Sequence, residues 1–198
     1  KTYGGIYSMR YADITTCDIA NGKGLGVVLW CQGCSLNCPG CQNPGTHSPL
    51  DGREFTSKEK ELIFAELNKS QISRLTLSGG HPLEPYNLPV CTELCREIVS
   101  EFPEIQIWCY TGYRWEDVKD LEIMDYIDVL VDGPYMEPLR DISLPWRGSS
   151  NQRVIDVHKS LARDKVVLLD PQAVSDTRML SECLEHKCIV RPICTELN

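Results

Sequence analysis

The stretch Val27-Val-Leu-Trp-Cys-Gln-Gly-Cys-Ser-Leu-Asn-Cys-Pro-Gly-Cys41 joins an apolar segment to a dense run of cysteines. Val27–Trp30 has the continuously apolar, β-rich composition of a buried strand. Four of the 11 cysteines of the chain stand within the eleven residues that end at Cys41. The links between these four are too short for useful disulfide loops, and residues 1–10 lack the apolar core of a secretion signal. The run therefore predicts metal binding or redox chemistry.

The spacing of the last three cysteines favours an iron–sulfur cluster over a single zinc ion. Zinc ribbons use two Cys-x2-Cys pairs set well apart, so that each pair brings in two sulfurs from its own side. Here only three residues separate the pairs. Cys34, Cys38 and Cys41 on one tight loop instead suit three corners of a cubane, which leaves its fourth iron free for a ligand from outside the protein. The alternatives are a structural zinc site and a plain packing role.

Beyond this loop, short apolar runs alternate with helical patterns. Thr56–Lys69, where Thr56 and Glu59 stand at capping-box spacing, and Cys91–Phe102 are candidate helices, and a weaker helical pattern covers Trp115–Tyr126. This alternation predicts an α/β fold with a parallel sheet of five or six strands forming an incomplete (βα) barrel. The candidate strands are Val27–Trp30, Arg74–Ser78, Ile105–Tyr110, Ile127–Val131 and Arg153–Val157, with Lys165–Leu169 as a possible sixth.

The chain divides into two parts by pattern. Residues 1–160 carry the alternating strands and helices and are predicted to form the core. Residues 161–198, with a possible short helix over Asp176–Lys187, are predicted to form a C-terminal appendage. In parallel α/β folds, chemistry collects at the carboxyl ends of the strands. The cysteine loop, Gly79–Gly80, Thr111 and Asp132 each follow a candidate strand, so the sequence predicts that they share one site.

Composition narrows the classes of partner. The formal net charge of the 198 residues is −8, which argues against nucleic acid because phosphate binding requires a basic face. No apolar run approaches the roughly 20 residues that a membrane-spanning helix needs. We therefore expect a cytoplasmic protein with neither a nucleic acid nor a membrane as partner.

Six motifs occur in order between about Tyr11 and His158, and together they resemble one family. The Cys-x3-Cys-x2-Cys spacing is similar to that of the radical S-adenosylmethionine superfamily. The full set resembles the activating proteins of the anaerobic (class III) ribonucleotide reductases. The motifs are Asp18-Ile-Ala-Asn-Gly-Lys-Gly24, Cys38-Pro-Gly-Cys-Gln-Asn43, Leu77-Ser-Gly-Gly80, Tyr110-Thr-Gly-Tyr113, Val129-Leu-Val-Asp-Gly133 and Trp146-Arg-Gly-Ser-Ser-Asn-Gln-Arg153.

The resemblance implies a mechanism in which the cofactors carry the chemistry, so no catalytic side chain is expected. A 4Fe–4S cluster on Cys34, Cys38 and Cys41 binds S-adenosyl-L-methionine and cleaves it reductively to a 5′-deoxyadenosyl radical. The radical then generates a glycyl radical on the large subunit of the reductase, and the electron comes from a donor such as flavodoxin or ferredoxin. The alternatives are an activator of another glycyl-radical enzyme, such as pyruvate formate-lyase, and a non-catalytic iron–sulfur or zinc module.

The resemblance also implies cofactor-binding positions. Gly79–Gly80 is either a strand-ending turn or a close approach of backbone to the cofactor, and Asp132 and Thr111 are either cofactor contacts or local structure. Three positions depart from the family's usual pattern, because His81 replaces an acid, Lys23 replaces a proline and Gly26 replaces an arginine. The implied cofactor-binding residues are Gly40, Cys41, Gln42, Gly79, Gly80, Thr111, Asp132, Ser149 and Asn151.

The remaining cysteines read mainly as core residues. Cys31 ends the first candidate strand, where it is either a small buried side chain or a further ligand. Cys91 and Cys95 are four residues apart on an apolar helix face, and Cys17 and Cys109 have no motif nearby. In the tail, a set with the ligand types of a zinc site either binds a second metal or packs a short helix. This set is Cys183, His186, Cys188 and Cys194.

Overall fold

The apolar run before the cysteine loop forms β2 (Gly26–Cys31), in which every residue is buried. The computed structural model describes residues 9–170 and places β2 inside a seven-stranded sheet. The other strands are β1 (Arg10–Asp18), β3 (Arg53–Glu54), β4 (Arg74–Gly79), β5 (Gln106–Tyr110), β6 (Val129–Asp132) and β7 (Arg153–Asp156). Their order across the sheet is β3-β1-β2-β4-β5-β6-β7.

The sheet is mixed, so the predicted parallel sheet of five or six strands is wrong in strand number and in strand direction. β2, β4, β5 and β6 are parallel neighbours, whereas β1 runs antiparallel to β2 and β3, and β7 runs antiparallel to β6. No pairing joins β3 to β7, so the strands of residues 9–170 form an open sheet. The α/β class is confirmed.

Two physical reasons explain why the sequence missed β1 and the direction of β7. β1 has only two buried residues among nine, so it lacks the apolar run that marks β2. The connection between β6 and β7 contains no α-helix, only one 3-10 turn, Glu137–Leu139, whereas the crossover between parallel neighbours is usually an α-helix. The possible sixth strand at Lys165–Leu169 contributes a single bridge between Leu168 and Ile155.

Four α-helices accompany the strands in the described residues. They are α1 (Ser57–Leu67), α2 (Leu88–Glu101), α3 (Trp115–Val118) and α4 (Val157–Arg163). The capping box before α1 is present, because the Thr56 hydroxyl accepts from the backbone of Lys58 and Glu59 accepts from the Thr56 N–H. The predicted helix Trp115–Tyr126 is instead split into α3 and a 3-10 turn, Glu122–Asp125, by extended backbone at Leu121.

The two faces of the central strands differ in what covers them. Alternate residues of β4 point to opposite faces. Leu75 and Leu77 join the core cluster that contains the apolar side of α2, whereas Arg74, Thr76 and Ser78 alternate with them on the other face. That second face carries a smaller apolar cluster around Trp108, against which Trp146 of the β6–β7 connection packs. Ser78 and Tyr110 of this second face line the cleft of the candidate site.

Arg74 closes the amino-terminal end of this second face. Its side chain is fully buried and forms an ion pair of 2.8 Å with Asp18, and its guanidinium also donates to the carbonyl oxygens of Asn21 and Lys23. Gly26 is the register partner of Arg74 in the parallel pair. A Cβ on Gly26 would lie 2.7 Å from the Arg74 guanidinium carbon, so Arg74 fills the space that a side chain at position 26 would take.

The predicted boundary at residue 160 falls within α4 and stays a prediction, as does the appendage of residues 161–198. The candidate helix Asp176–Lys187 and the tail set around Cys183 and Cys188 lie outside the described residues. Between residues 9 and 170, no helix combines the length and the apolar content that a membrane crossing requires.

Candidate functional site

A cleft of about 190 Å³ opens at the carboxyl ends of the four parallel strands. The three cysteines of the loop after β2 line it together with residues that follow β4, β5 and β6. The structure thus brings together most of the positions that the sequence singled out. The predicted residues that line the cleft are Cys34, Cys38, Cys41, Gln42, Gly79, Gly80 and Thr111, and His81 and Gly133 lie beside them.

The cysteine loop is held in shape by its own backbone. The Cys41 N–H donates to the Cys38 carbonyl oxygen at 3.1 Å, which closes the turn between these two cysteines. The Cys34 N–H donates to the His47 carbonyl oxygen at 3.0 Å, which ties the loop to the segment that follows it. Gly40 has φ = +71°, a left-handed conformation that glycine adopts without a steric penalty. Gly40 therefore allows the backbone to turn between Cys38 and Cys41.

The three thiols of this loop are free and only partly buried. The Asn43 N–H donates to Cys41 Sγ at 3.4 Å. Burial raises the pKa of the Cys41 thiol, and the hydrogen bond from Asn43 opposes that shift. Burial likewise raises the pKa of Cys34, against backbone hydrogen bonds from Leu36 and Asn37. Backbone donors stabilise thiolate, which is the form of cysteine that binds iron.

The donor set fits an iron–sulfur cluster better than it fits one ion. Within residues 9–170, no three His, Cys, Asp or Glu side chains stand close enough together to hold a single metal ion. A cubane makes a different demand, because each of its cysteines binds a different iron. Three free thiols along one cleft wall, two of them with backbone donors, meet that demand.

Gly79 and Gly80 bring the end of β4 against the cysteine loop. The Gly80 N–H donates to the Cys31 carbonyl oxygen at 2.8 Å. A Cβ on Gly79 would lie 2.7 Å from the Cys31 carbonyl oxygen, and a Cβ on Gly80 would lie 2.5 Å from that of Gly33. The two glycines are therefore required by the close packing of backbone, and they leave one wall of the cleft without side chains.

His81 and Thr111 form the wall next to these glycines. His81 is 1% exposed, and its Nε2 lies 2.7 Å from Thr111 Oγ1. Its Nδ1 lies 3.4 Å from Glu84 Oε1. Burial lowers the pKa of His81, while the negative charge of Glu84 acts in the opposite direction. The Thr111 hydroxyl also accepts the N–H of Tyr113 at 3.1 Å, so its position is fixed from two sides.

Asp132, a predicted site residue, points away from the cleft. Its carboxylate accepts the Trp115 N–H at 2.7 Å, at the start of α3, and forms an ion pair with Arg153. Arg153 also pairs with Glu116, so the three side chains tie β6, β7 and α3 together. Asp132 therefore has a structural role at the start of α3, and its predicted contact with the cofactor stays a prediction.

Three other predicted residues also lie outside the cleft lining. Ser149 Oγ accepts the Met136 N–H at 3.2 Å, and Asn151 donates to the Pro134 carbonyl oxygen at 2.7 Å. Both bonds stabilise the connection between β6 and β7. Gly40 faces the same connection, because a Cβ there would collide with the carboxylate of Glu137.

Sequence reasoning missed several residues of the cleft, and Gln152 is the clearest case. Its Oε1 accepts the Gly148 N–H at 3.0 Å, and its Nε2 donates to the Gly133 carbonyl oxygen at 3.1 Å. Gln152 belongs to the last of the six motifs. The spacing of that motif does not indicate that the Gln152 side chain reaches from the start of β7 to the end of β6. Tyr110 and Tyr135 also line the cleft.

Comparison with known proteins agrees with this site. Residues 20–155 match the protein family described as a 4Fe-4S single cluster domain. The anaerobic ribonucleoside-triphosphate reductase-activating protein of Enterobacteria phage T4 is 43% identical over 146 residues, which make up 74% of this chain and 93% of that protein. This chain belongs to the anaerobic ribonucleoside-triphosphate reductase-activating protein family. The recognition from the six motifs is confirmed at that level.

Two bacterial members of this activating-protein family show the same extent of similarity. The protein from Escherichia coli (strain K12) is 41% identical over 150 residues, 74% of this chain and 97% of that protein. The protein from Vibrio cholerae is 38% identical over 148 residues, 73% of this chain and 96% of that protein. The activating-protein likeness therefore spans nearly the whole length of these relatives.

Proposed function

We propose that this chain binds a 4Fe–4S cluster through Cys34, Cys38 and Cys41 and cleaves S-adenosylmethionine reductively. The resulting 5′-deoxyadenosyl radical generates a glycyl radical on the large subunit of an anaerobic ribonucleotide reductase. Family membership and the matched 4Fe-4S domain support the cluster and the reductase partner. The free ligand position that the cysteine spacing implies supports the choice of S-adenosylmethionine.

One observation carries the assignment of the ligands. The matched span, residues 20–155, contains seven cysteines. Four of them have no exposed surface, and only the other three line the cleft. A cluster that takes its ligands from this span and accepts an outside ligand has only these three available. The four buried ones are Cys31, Cys91, Cys95 and Cys109.

The residues of the cleft then have distinct roles. When bound, the cluster and S-adenosylmethionine supply the electron transfer and the radical. Gly79 and Gly80 offer bare backbone, which lets a ligand approach closely. Thr111 supplies a hydroxyl at a fixed position, Gln42 supplies a further polar group, and Tyr110 supplies an aromatic wall that keeps water away. The protein's part is to orient the cofactor and to exclude other hydrogen donors.

The proposal extends to the setting of the reaction. The electron donor is a flavodoxin or a ferredoxin, and the protein acts in the cytoplasm. Its net charge of −8 suits neither a nucleic acid nor an anionic membrane surface as a partner.

The decisive experiment measures cleavage of the cofactor. The full chain is reconstituted anaerobically with iron and sulfide, reduced with dithionite and mixed with S-adenosylmethionine. We expect 5′-deoxyadenosine in the product mixture, and none when either dithionite or the protein is left out. A sample that carries a 4Fe–4S cluster and yields no 5′-deoxyadenosine would show a non-catalytic iron–sulfur module instead.

A second experiment identifies the partner. The reduced protein and S-adenosylmethionine are mixed in parallel with an anaerobic ribonucleotide reductase large subunit and with pyruvate formate-lyase. We expect the electron paramagnetic resonance signal of a glycyl radical with the reductase alone. A signal with pyruvate formate-lyase alone would reassign the partner while leaving the cleavage chemistry in place.

A further inference from the structure

Glu84 connects the end of β4 with the cysteine loop. Its side chain is buried, at 4% exposure of the residue, and its Oε1 accepts both the N–H and the hydroxyl of Ser35, at 2.8 and 2.5 Å. Ser35 directly follows Cys34. Hydrogen bonds to a buried carboxylate are among the stronger ones in proteins. Glu84 therefore holds the backbone at the point where the loop leaves its first cysteine.

His81 extends this contact to Thr111, which lines the cleft. Its Nδ1 faces Glu84 Oε1 at 3.4 Å, an electrostatic contact beyond hydrogen-bond length, and its Nε2 lies 2.7 Å from Thr111 Oγ1. A carboxylate beside Nδ1 favours the tautomer with the proton on Nδ1. Nε2 then accepts the hydroxyl proton of Thr111.

The state of Thr111 follows from these bonds. Its proton is directed at His81, and one lone pair of Oγ1 accepts the N–H of Tyr113. One lone pair of the hydroxyl oxygen remains, and Thr111 lines the cleft. The arrangement therefore presents an acceptor to the donor groups of a bound molecule, such as an ammonium or a ribose hydroxyl.

We propose that Glu84 and His81 are positioning residues that hold the cysteine loop and the Thr111 hydroxyl in one fixed relation. Glu84 holds the loop at Ser35, and His81 orients the hydroxyl of Thr111 through their hydrogen bond. Glu84 acts through Ser35, and His81, which lines the cleft, acts through Thr111. The inference rests on the proposed function, because it assigns the fixed relation to the binding of S-adenosylmethionine beside the cluster.

The opposite end of the sheet provides a matched control. Asp128, just before β6, accepts the Ile107 N–H at 2.7 Å through Oδ2 and lies 3.0 Å from His158 Nε2 through Oδ1. This pair also joins a carboxylate, a histidine and a backbone N–H, but it stands at the amino ends of the strands. A purely structural role predicts similar consequences for the loss of Asp128 and of Glu84.

The first test compares Glu84→Ala, Glu84→Gln and Asp128→Ala in the cluster-loaded full chain. Glu84→Ala is expected to weaken S-adenosylmethionine binding by about tenfold and to shift the g-values of the reduced cluster, because Ser35 loses its acceptor. Glu84→Gln keeps an oxygen acceptor of the same size, so it should recover most of the affinity. Asp128→Ala should lower thermal stability and leave affinity and g-values unchanged. Equal affinity in Glu84→Ala and wild type would overturn the proposal.

A double-mutant cycle tests the link through His81. Glu84→Ala and Thr111→Val are measured separately and together for S-adenosylmethionine affinity, with Thr111→Ser as the variant that keeps the hydroxyl. We expect the double variant to bind S-adenosylmethionine no more than about twofold more weakly than the weaker-binding single variant. Both changes break the same link between the cysteine loop and Thr111, so their effects should not add. If the losses of affinity of the two single variants instead multiply in the double variant, the two residues act independently and the link through His81 is excluded.

A measurement on the metal-free protein separates this proposal from the proposed function. Hydrogen exchange at the Ser35 amide should be faster in Glu84→Ala and in His81→Gln than in wild type, and unchanged in Asp128→Ala. Unchanged exchange in both Glu84→Ala and His81→Gln would refute the positioning role even if the protein cleaves S-adenosylmethionine. Absence of cleavage in wild type would refute the proposed function and leave the exchange result to decide the positioning role.

Discussion

Within residues 9–170, the three cysteines of the loop and the four buried cysteines of the core differ in depth and in surroundings. The loop cysteines lie at the mouth of a cleft, partly exposed and within reach of backbone donors. The core cysteines lie between the sheet and α2, where Cys31 Sγ is 3.9 Å from Cys91 Sγ. Burial raises the pKa of Cys95 and Cys109 well above the ordinary thiol value, because a thiolate there would lose its water. One group suits ligation, and the other suits packing.

Cys31 and Cys34 show how little sequence distance this difference requires. Cys31 is the last residue of β2, and it points into the core beneath α2. The chain then turns at Gly33, which has φ = +92°, and Cys34 reaches the cleft. Only two residues, Gln32 and Gly33, therefore separate a packing cysteine from a proposed ligand. Location relative to the end of the strand decides the role of each.

The largest expected effect tests this division directly. Alanine at Cys34, Cys38 or Cys41 should abolish retention of the cluster and formation of 5′-deoxyadenosine, because a cubane with only two protein ligands is not held. Alanine at Cys31 or Cys95 should leave iron content intact and lower the free energy of unfolding by about 1 kcal/mol, the usual cost of a small core truncation. Iron analysis and urea unfolding measure the two quantities. Equal iron content in all five variants would contradict the division.

The second prediction concerns thiol reactivity in the metal-free, reduced protein. Iodoacetamide should modify the three loop cysteines at least about a hundredfold faster than the core cysteines, which react only when the core opens. Peptide mass spectrometry after timed quenching gives the rate at each position. A loop cysteine that is as slow as Cys95 would place it in the core group.

The third prediction is a pH dependence of stability that belongs to the core group. The folded-state pKa of Cys95 and of Cys109 is raised, so above about pH 8.5, the ordinary thiol value, the unfolded chain binds fewer protons than the folded chain. The free energy of unfolding should then fall with rising pH, by about 1.4 kcal/mol per pH unit for each such thiol. Cys95→Ala should make the decline shallower by that amount in urea unfolding under reducing conditions. A flat profile between pH 8 and pH 10 would count against buried thiols.

The smallest expected effect lies in the turn of the loop group. Gly40→Ala should lower the free energy of unfolding of the metal-free protein by about 1 kcal/mol, because alanine is strained at φ = +71°. The new Cβ would also meet the Glu137 carboxylate, which is the flexible end of a side chain. Glu137→Ala in the same chain should therefore restore little of the loss. Full recovery in the double variant would mean that the contact, not the backbone, carries the cost.

Local patterns in the sequence anticipated much of this structure. The continuous apolar run of β2 and the capping box of α1 depend on neighbouring residues only, so both were predictable. The direction of β7 and the pairing of β1 depend on what lies beside them in space, which the pattern along each strand does not record. The rule that strand ends share a site correctly grouped Gly79, Gly80 and Thr111 with the cysteine loop.

The sequence by itself determined the spacing of the proposed ligands and the family, because three thiolates at fixed intervals and six ordered motifs are one-dimensional facts. Only the tertiary structure decided that Asp132 faces α3, that Gln152 bonds to the end of β6 and that Glu84 reaches Ser35. These contacts join residues that are between 17 and 49 positions apart. Side chains so far apart meet only after the sheet has formed, and no local interaction encodes which of them will touch.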